Sequence, residues 1–122
     1  MAIHDQLQIH RTGIKMLALA VRVQEQLPRS VKRILGEKIM QHCVDMLALM
    51  ALANASQNEV RTAYIQQLLA QQRAASDLLR VSFDARYLTA PKLWAESMEL
   101  LGSIGKQAGG WLKKTSSRAP AA

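Results

Sequence analysis

The chain has little of several residue types, and each shortage excludes a class of structure. Its 122 residues include one cysteine, three prolines, six glycines and five aromatic residues. A single cysteine cannot form an intrachain disulfide or a cysteine-rich metal site. Few prolines and glycines leave few turns, so a small number of long helices is favoured over many short strands.

Motifs for catalysis and metal binding are also missing from the sequence. The three histidines are scattered, and no Glu-x-x-His pair of the kind that builds dimetal sites in helical bundles occurs. There is no glycine-rich phosphate loop, no Gly-x-Ser-x-Gly, and no cysteine with a suitable histidine partner. We therefore expect no catalytic residue, no metal site and no cofactor.

The apolar residues do not form a membrane segment. The longest uninterrupted apolar run, from Met46 to Ala53, is far shorter than a spanning helix requires. The first five residues lack the charged and then apolar pattern of a signal peptide. These features predict cytoplasmic residence without a membrane partner.

Positive charge is what the chain has in excess. Sixteen Lys and Arg residues against nine Asp and Glu residues give a net charge of +7. Such an excess points to polyanionic partners, with nucleic acid first and an acidic protein surface second. No interleaved series of exposed aromatic residues is present to stack bases, so sequence-nonspecific binding to the RNA or DNA backbone is expected. The alternative is a protein adaptor that binds an acidic partner and no nucleic acid.

Apolar residues recur at spacings of three and four along four segments, which predicts four helices. The first ends at Pro28, the second runs from about Val31 to Asn54, the third ends near Leu88, and the fourth runs from Pro91 to Lys114. Ser30 is the predicted N-cap of the second helix, and Ser56 with Glu59 has the form of a capping box. Short connections between long helices favour an up-down-up-down antiparallel four-helix bundle over residues 1–114. Residues 115–122 are predicted to be a disordered tail.

The turn between the first two helices carries concentrated positive charge. Arg29, Lys32 and Arg33 crowd a helix start, where the macrodipole favours anions. A sequence selected for stability alone would have acidic residues there, so this conflict indicates function. The predicted nucleic-acid-binding surface therefore consists of Arg29, Lys32 and Arg33, supported by Arg11, Lys15 and Arg22 on one face of the first helix and by Lys113 and Lys114 near the C-terminus.

Two further patterns suggest contacts between helices or subunits. Arg73, Asp77, Arg80 and Asp84 share one face of the third helix at spacings of four, three and four. They form either a ladder of intrahelical ion pairs or a stripe that binds another subunit. The glycines of the fourth helix, including Gly105 and Gly109, each cost about 1 kcal/mol relative to alanine, which suggests close helix approach within the bundle or between subunits. The expected oligomer interface comprises these four charged residues with Gly105 and Gly109.

Several stretches resemble one known family. Leu27-Pro28-Arg29-Ser30 with residues 34–39, Leu78-Leu79-Arg80 with Asp84, Arg86 and Leu88, and Gly109-Gly110-Trp111-Leu112 are similar to motifs of the accessory variability determinant (Avd) proteins of diversity-generating retroelements. The resemblance extends from the first helix to Leu112.

The resemblance implies a non-catalytic accessory protein. Avd-like bundles assemble into a basic, ring-like homopentamer that binds the element's reverse transcriptase and nucleic acid and supports mutagenic copying of a template RNA. A related branch of bundles is encoded within ribosomal RNA intervening sequences and has no known reverse transcriptase partner. The residues are compatible with both branches of the family.

Overall fold

The computed structural model describes the backbone of residues 3–118 and the side chains of residues 8–117, and all regular secondary structure there is helical. Helix α1 spans Ile3–Gln26, α2 Arg29–Val31, a π-helical segment Lys32–Glu37, α3 Lys38–Asn54, α4 Asn58–Asp84 and α5 Pro91–Arg118. Helix α2, the π segment and α3 follow one another without a break and form the second of four rods. No strand occurs between residues 3 and 118. The predicted all-α four-helix bundle is confirmed.

Each rod packs against two others, and side-chain contacts mark every pair. Gly13 of α1 faces Leu47 and Met50 of α3. His42 Nδ1 lies 2.6 Å from Gln71 Oε1, which joins α3 to α4. The Gln72 amide of α4 donates to the carbonyl of Leu101 in α5 at 2.9 Å. The Gln107 amide of α5 donates to the Thr12 hydroxyl of α1 at 3.1 Å, which closes the circuit between the last rod and the first.

The apolar stripes predicted from sequence meet in one core. Fully buried side chains come from all four rods and include Ile9, Met16, Val23, Ile39, Met46, Ile65, Leu68, Leu79, Leu101 and Ile104. Leu, Ile, Val and Met supply nearly all of this volume. Burial of each such side chain contributes about 1.5 to 3 kcal/mol to folding, so the continuous stripes account for the association of the rods.

Cys43 lies within this core, as its position on an apolar helical face predicts. Its side chain is 1% exposed and it forms no disulfide. Burial raises the pKa of the thiol from 9.0 to about 12, because the thiolate would lose its hydration.

The second rod begins differently from the prediction. Ser30 is the expected cap, but the helix already begins at Arg29, and Pro28 occupies the cap position without a side-chain hydrogen bond. Pro28 adopts φ −57° and ψ 149°, and its carbonyl accepts from the Val31 amide at 3.0 Å. This backbone turn leaves Ser30 inside the first helical turn and exposed, where it has no capping role.

The predicted capping box at Ser56 and Glu59 is also wrong. Helix α4 begins at Asn58 after an extended Gln57, and no side chain caps it. The Ser56 hydroxyl donates backward to the carbonyl of Leu52 at 2.7 Å, so it ends α3 instead of starting α4. Arg61 is partly buried because its guanidinium donates to the carbonyls of Ala53 and Asn54 at 2.9 and 3.3 Å.

Helix α5 continues one turn beyond the end predicted at Lys114. Thr115 is buried, and its hydroxyl donates to the carbonyl of Trp111 at 2.9 Å. Residues 115–118 are therefore helical, contrary to the predicted disordered tail. Residues 119–122 of that tail lie outside the described residues.

The π segment is a feature that the sequence did not predict. At Gly36, a Cβ atom would stand 2.5 Å from Cγ of Gln24 and 3.2 Å from its Cα. Only glycine fits at this approach of the second rod to α1. A π turn adds one residue to a helical turn, and such segments concentrate at functional sites.

We predict that Gly36→Ala lowers the free energy of unfolding by about 1 to 3 kcal/mol, because the added methyl group overlaps Gln24. Gly110→Ala is the matched control, since no atom lies within 4 Å of an added Cβ there. That change should raise stability by up to about 1 kcal/mol through helix propensity. Urea unfolding of the two variants provides the measurement. Equal effects would contradict the close approach at Gly36.

The buried thiol predicts a pH dependence. Because the folded pKa of Cys43 exceeds the unfolded value, its contribution to stability is complete below about pH 9 and is lost as the pH rises toward 12. We expect the stability advantage of the parent chain over Cys43→Ala to shrink by about 1 kcal/mol between pH 8 and pH 10. Urea unfolding of both chains measures it. An unchanged difference would mean that the thiol titrates normally.

Candidate nucleic-acid-binding surface

The turn between α1 and the second rod presents its cations to solvent. Arg29 and Arg33 are exposed, and Lys32 is half-buried at the start of the π segment. The guanidinium of Arg33 lies 3.9 Å from the carboxylate of Glu37. Their side chains are 92% and 59% exposed, so this ion pair is weak and leaves Arg33 available for another anion.

The connection from α4 to α5, residues 85–90, contains one further cation, Arg86. The third predicted helix extends to Leu88, but α4 ends at Asp84. The Arg86 amide donates to the Phe83 carbonyl and the Tyr87 amide to the Ser82 carbonyl, at 3.0 and 2.9 Å. This is the Schellman pattern, in which one residue adopts a left-handed conformation.

Arg86 occupies that left-handed position with φ 64°. Glycine is usual there, because a side chain in this conformation costs about 1 to 2 kcal/mol. An exposed arginine kept at such a cost is a local outlier of the kind that marks functional sites. Arg86 is not among the binding residues predicted from the sequence. The signal that could have found it is the absence of glycine after the end of the third helix.

The fold brings these two segments to the same end of the bundle. Lys15, Ala18 and Leu19 of α1 line one groove with Glu96, Glu99 and Leu100 of α5. The part of α1 beyond Leu19 therefore lies toward the start of α5, where the α4–α5 connection arrives. Residues 22–37 and 85–92 contain six Lys or Arg residues and two Asp or Glu residues. We call these two segments together the hinge end.

The other predicted binding residues do not all join the hinge end. Arg22 belongs to it, at its first position on α1, and is exposed. Lys15 is exposed but lines the groove that contains Glu96 and Glu99, so acidic neighbours weaken its attraction for phosphate. Arg11, Lys113 and Lys114 are exposed at the opposite end, because Gln107 contacts Thr12 and the last turns of α5 continue beyond that contact. The predicted surface is therefore divided between the two ends of the bundle.

Contacts within one chain account for only one of the four charged residues predicted to lie in the oligomer interface. Arg73, Asp77, Arg80 and Asp84 are exposed on α4, and none of them forms an ion pair with a residue that the structure describes. The guanidinium of Arg80 lies 5.6 Å from the ring of Trp94, which stacks on Phe83. The interpretation as an intrahelical ion-pair ladder is thus wrong for this structure.

The glycines of α5 divide into two kinds. Gly105 lies against the Gln72 side chain, with 3.1 Å from an added Cβ to the amide nitrogen, so its close approach occurs within the bundle. Gly102, Gly109 and Gly110 have no atom within 4 Å of an added Cβ. Trp111 is buried, with the Arg61 guanidinium 5.8 Å from its ring.

The part of the chain that the structure describes has neither a metal-binding cluster nor a membrane-spanning helix. No group of three or more His, Cys, Asp or Glu side chains that could hold a metal ion occurs among the described residues. Of the predicted isolated histidines, His10 is exposed and His42 pairs with Gln71, while the side chain of His4 lies outside the described residues. None of the helices, over the residues described, has the length and apolar character needed to cross a membrane.

Comparison of the chain with protein-family models, with curated proteins and with solved structures finds no match. The residues of the molecule itself therefore carry the functional argument.

Replacement of Arg86 should separate stability from binding. We expect Arg86→Gly to raise the free energy of unfolding by about 1 kcal/mol, because glycine adopts positive φ without strain. The same variant should bind nucleic acid more weakly, since it removes one cation from the hinge end. Thermal unfolding and a filter-binding titration measure the two effects. A stabilised variant that binds nucleic acid with the affinity of the parent chain would show that Arg86 is not part of the binding surface.

Proposed function

We propose that the protein binds the phosphate backbone of RNA and DNA through the hinge end of its bundle. The observation that supports this most is the location of the α1–α2 turn and the α4–α5 connection at one end of the bundle, where Arg29, Lys32 and Arg33 lie with Arg86. Clustered cations attract a polyanion because each neutralised phosphate releases condensed counterions.

The proposed binding has little sequence preference. Of the five aromatic side chains, Tyr87 is the most exposed, at 36%. Binding modes that stack successive bases need a series of aromatic platforms. A single tyrosine beside arginines favours contact with the backbone over recognition of bases. Outside the hinge end, Arg11, Lys113 and Lys114 extend the positive potential along the molecule without forming one continuous patch with it.

We also propose, on the resemblance to Avd-like proteins, that the chain serves as a non-catalytic accessory subunit of a reverse transcriptase. In this role a cytoplasmic, ring-like homopentamer of up-down-up-down bundles would hold template RNA and the complementary DNA during mutagenic copying. The helical fold and the basic ends are compatible with this role. An adjacent reverse transcriptase gene with a near-duplicated template repeat would favour the retroelement branch over the ribosomal intervening-sequence branch.

A matched pair of double variants tests the proposed surface. Arg29→Gln with Arg33→Gln removes two charges at the hinge end, and Lys106→Gln with Lys113→Gln removes two from the second half of α5, away from the hinge end. We expect the first variant to bind duplex nucleic acid more weakly than the second. The slope of log affinity against log salt should also become shallower by about 0.9 for each phosphate that the variant no longer neutralises. Filter binding over a salt series measures both quantities.

The two double variants carry the same net charge, so a general electrostatic effect would weaken both equally. Equal reductions in affinity would contradict the hinge end as the binding surface. If the parent chain binds no nucleic acid even at low salt, the proposal fails. An adaptor for an acidic protein partner would then be the better explanation of the charge.

A further inference from the structure

The exposed stripe on α4 has a symmetry that a solvent-facing helix does not require. Its four charges are Arg73, Asp77, Arg80 and Asp84, and we call them the α4 charge stripe. Their spacings of four, three and four read the same in both directions, and the midpoint falls between Leu78 and Leu79. About this midpoint every positive charge is the image of a negative one.

From this pattern we infer that α4 is a two-fold contact surface for a second copy of the same chain. If two α4 helices lie antiparallel about the midpoint, Arg73 faces the partner's Asp84 and Asp77 faces the partner's Arg80. The two reciprocal contacts repeat by symmetry, so all four pairs are attractive. A two-fold interface requires this self-complementarity, because the same patch is used by both copies.

The charges of the stripe are not neutralised by ion pairs inside the chain. No ion pair joins any of the four to another described residue. The order Arg and then Asp four residues later is also the less favourable one for an intrahelical pair. Arg80 is held over the ring of Trp94, but a guanidinium that stacks by its face still presents N–H groups at its edges. The carboxylates of Asp77 and Asp84 make the stripe a poor surface for phosphate.

The surroundings of the stripe allow another helix to approach. Ala70 and Ala74 lie next to it with small side chains, and Val81 is 50% exposed. On the neighbouring rod, Gly102 follows Leu101, whose carbonyl accepts from Gln72, and an added Cβ at Gly102 would meet no atom within 4 Å. The stripe spans about 16 Å of helix. An interface of one helix pair is small, so the contact should be concentration-dependent and weakened by salt.

This contact is independent of nucleic-acid binding and differs from a ring. A ring uses two different surfaces of each subunit, whereas the two-fold contact pairs identical surfaces. It would therefore double whatever assembly the other surfaces form, so the homopentamer proposed above would occur as a pair of rings with ten chains. The measurable consequence is a particle mass that halves when the stripe is disrupted, whether a dimer becomes a monomer or a paired ring becomes a single ring.

Charge reversal provides the test. In Asp77→Arg, residue 77 of each copy faces the partner's Arg80, so both contacts become repulsive. In Arg80→Asp, both become contacts between two carboxylates. Each variant alone should self-associate about tenfold more weakly than the parent at low salt. An equimolar mixture should recover the association as a heterodimer, because both contacts are then attractive.

The mass of the full chain and of each variant can be followed by light scattering and native mass spectrometry over a range of protein and salt concentrations. Glu25→Arg is the control, because it makes the same change in charge on α1, a rod that does not adjoin α4. Circular dichroism checks that each variant is folded. Arg73→Asp and Asp84→Arg form a second complementary pair, which keeps the test available if Arg80→Asp unfolds because its side chain no longer covers Trp94.

The expected result is halving of the mass in single variants and recovery on mixing. A parent mass equal to an odd multiple of the chain mass would overturn the inference. So would single variants that associate like the parent, or folded variants that fail to recover on mixing. A parent chain that self-associates through the stripe but binds no nucleic acid would count against the proposed function and not against this contact.

Discussion

Burial of one apolar stripe from each rod is the constraint on which the rest of the structure depends. The stripes fix how each helix is rotated about its axis, and this rotation decides which polar residues face solvent. Cys43 illustrates the strictness of the constraint, because its thiol is buried deeply enough for its pKa to rise to about 12. The exposed charges of Arg29 and Arg33 and of the α4 charge stripe are placed by the same rotation. The binding proposed for this molecule therefore depends on the faces that the core leaves outside.

The rods and the core could be predicted from sequence, because apolar residues spaced three and four apart mark the buried face of a helix. The caps could not. Ser56, Ser82, Ser97 and Thr115 each donate a hydroxyl to the carbonyl four residues earlier. Serine near a helix end can accept from a free amide or donate backward to a carbonyl, and the sequence does not decide between these partners. Arg61 takes the capping role at α3 from a helix that begins later in the chain.

The candidate site was only half predictable for a related reason. Charge at Arg29, Lys32 and Arg33 is visible in sequence because it violates a local preference at a helix start. Arg86 violates an equally local preference, but the violation appears only when the end of α4 is placed at Asp84 and φ at residue 86 is known. The division of the basic residues between two ends depends on which rods adjoin. Contacts such as that between Thr12 and Gln107 settle it, and these residues are distant in the sequence.

The hinge end and the α4 charge stripe use charge in opposite ways. The hinge end carries an excess of positive charge, so it would attract a polyanion, and binding would be favoured by release of the counterions condensed on that polyanion. Along the stripe opposite charges alternate, so the net field is small and the pattern can fix only register and orientation. A bundle of four rods has enough outer surface to separate the two patterns. Self-association through α4 would leave the hinge end of each copy exposed. Once one hinge end has bound a nucleic-acid chain, the second would encounter the same chain at a high effective concentration, so the paired particle would bind more tightly than a single bundle.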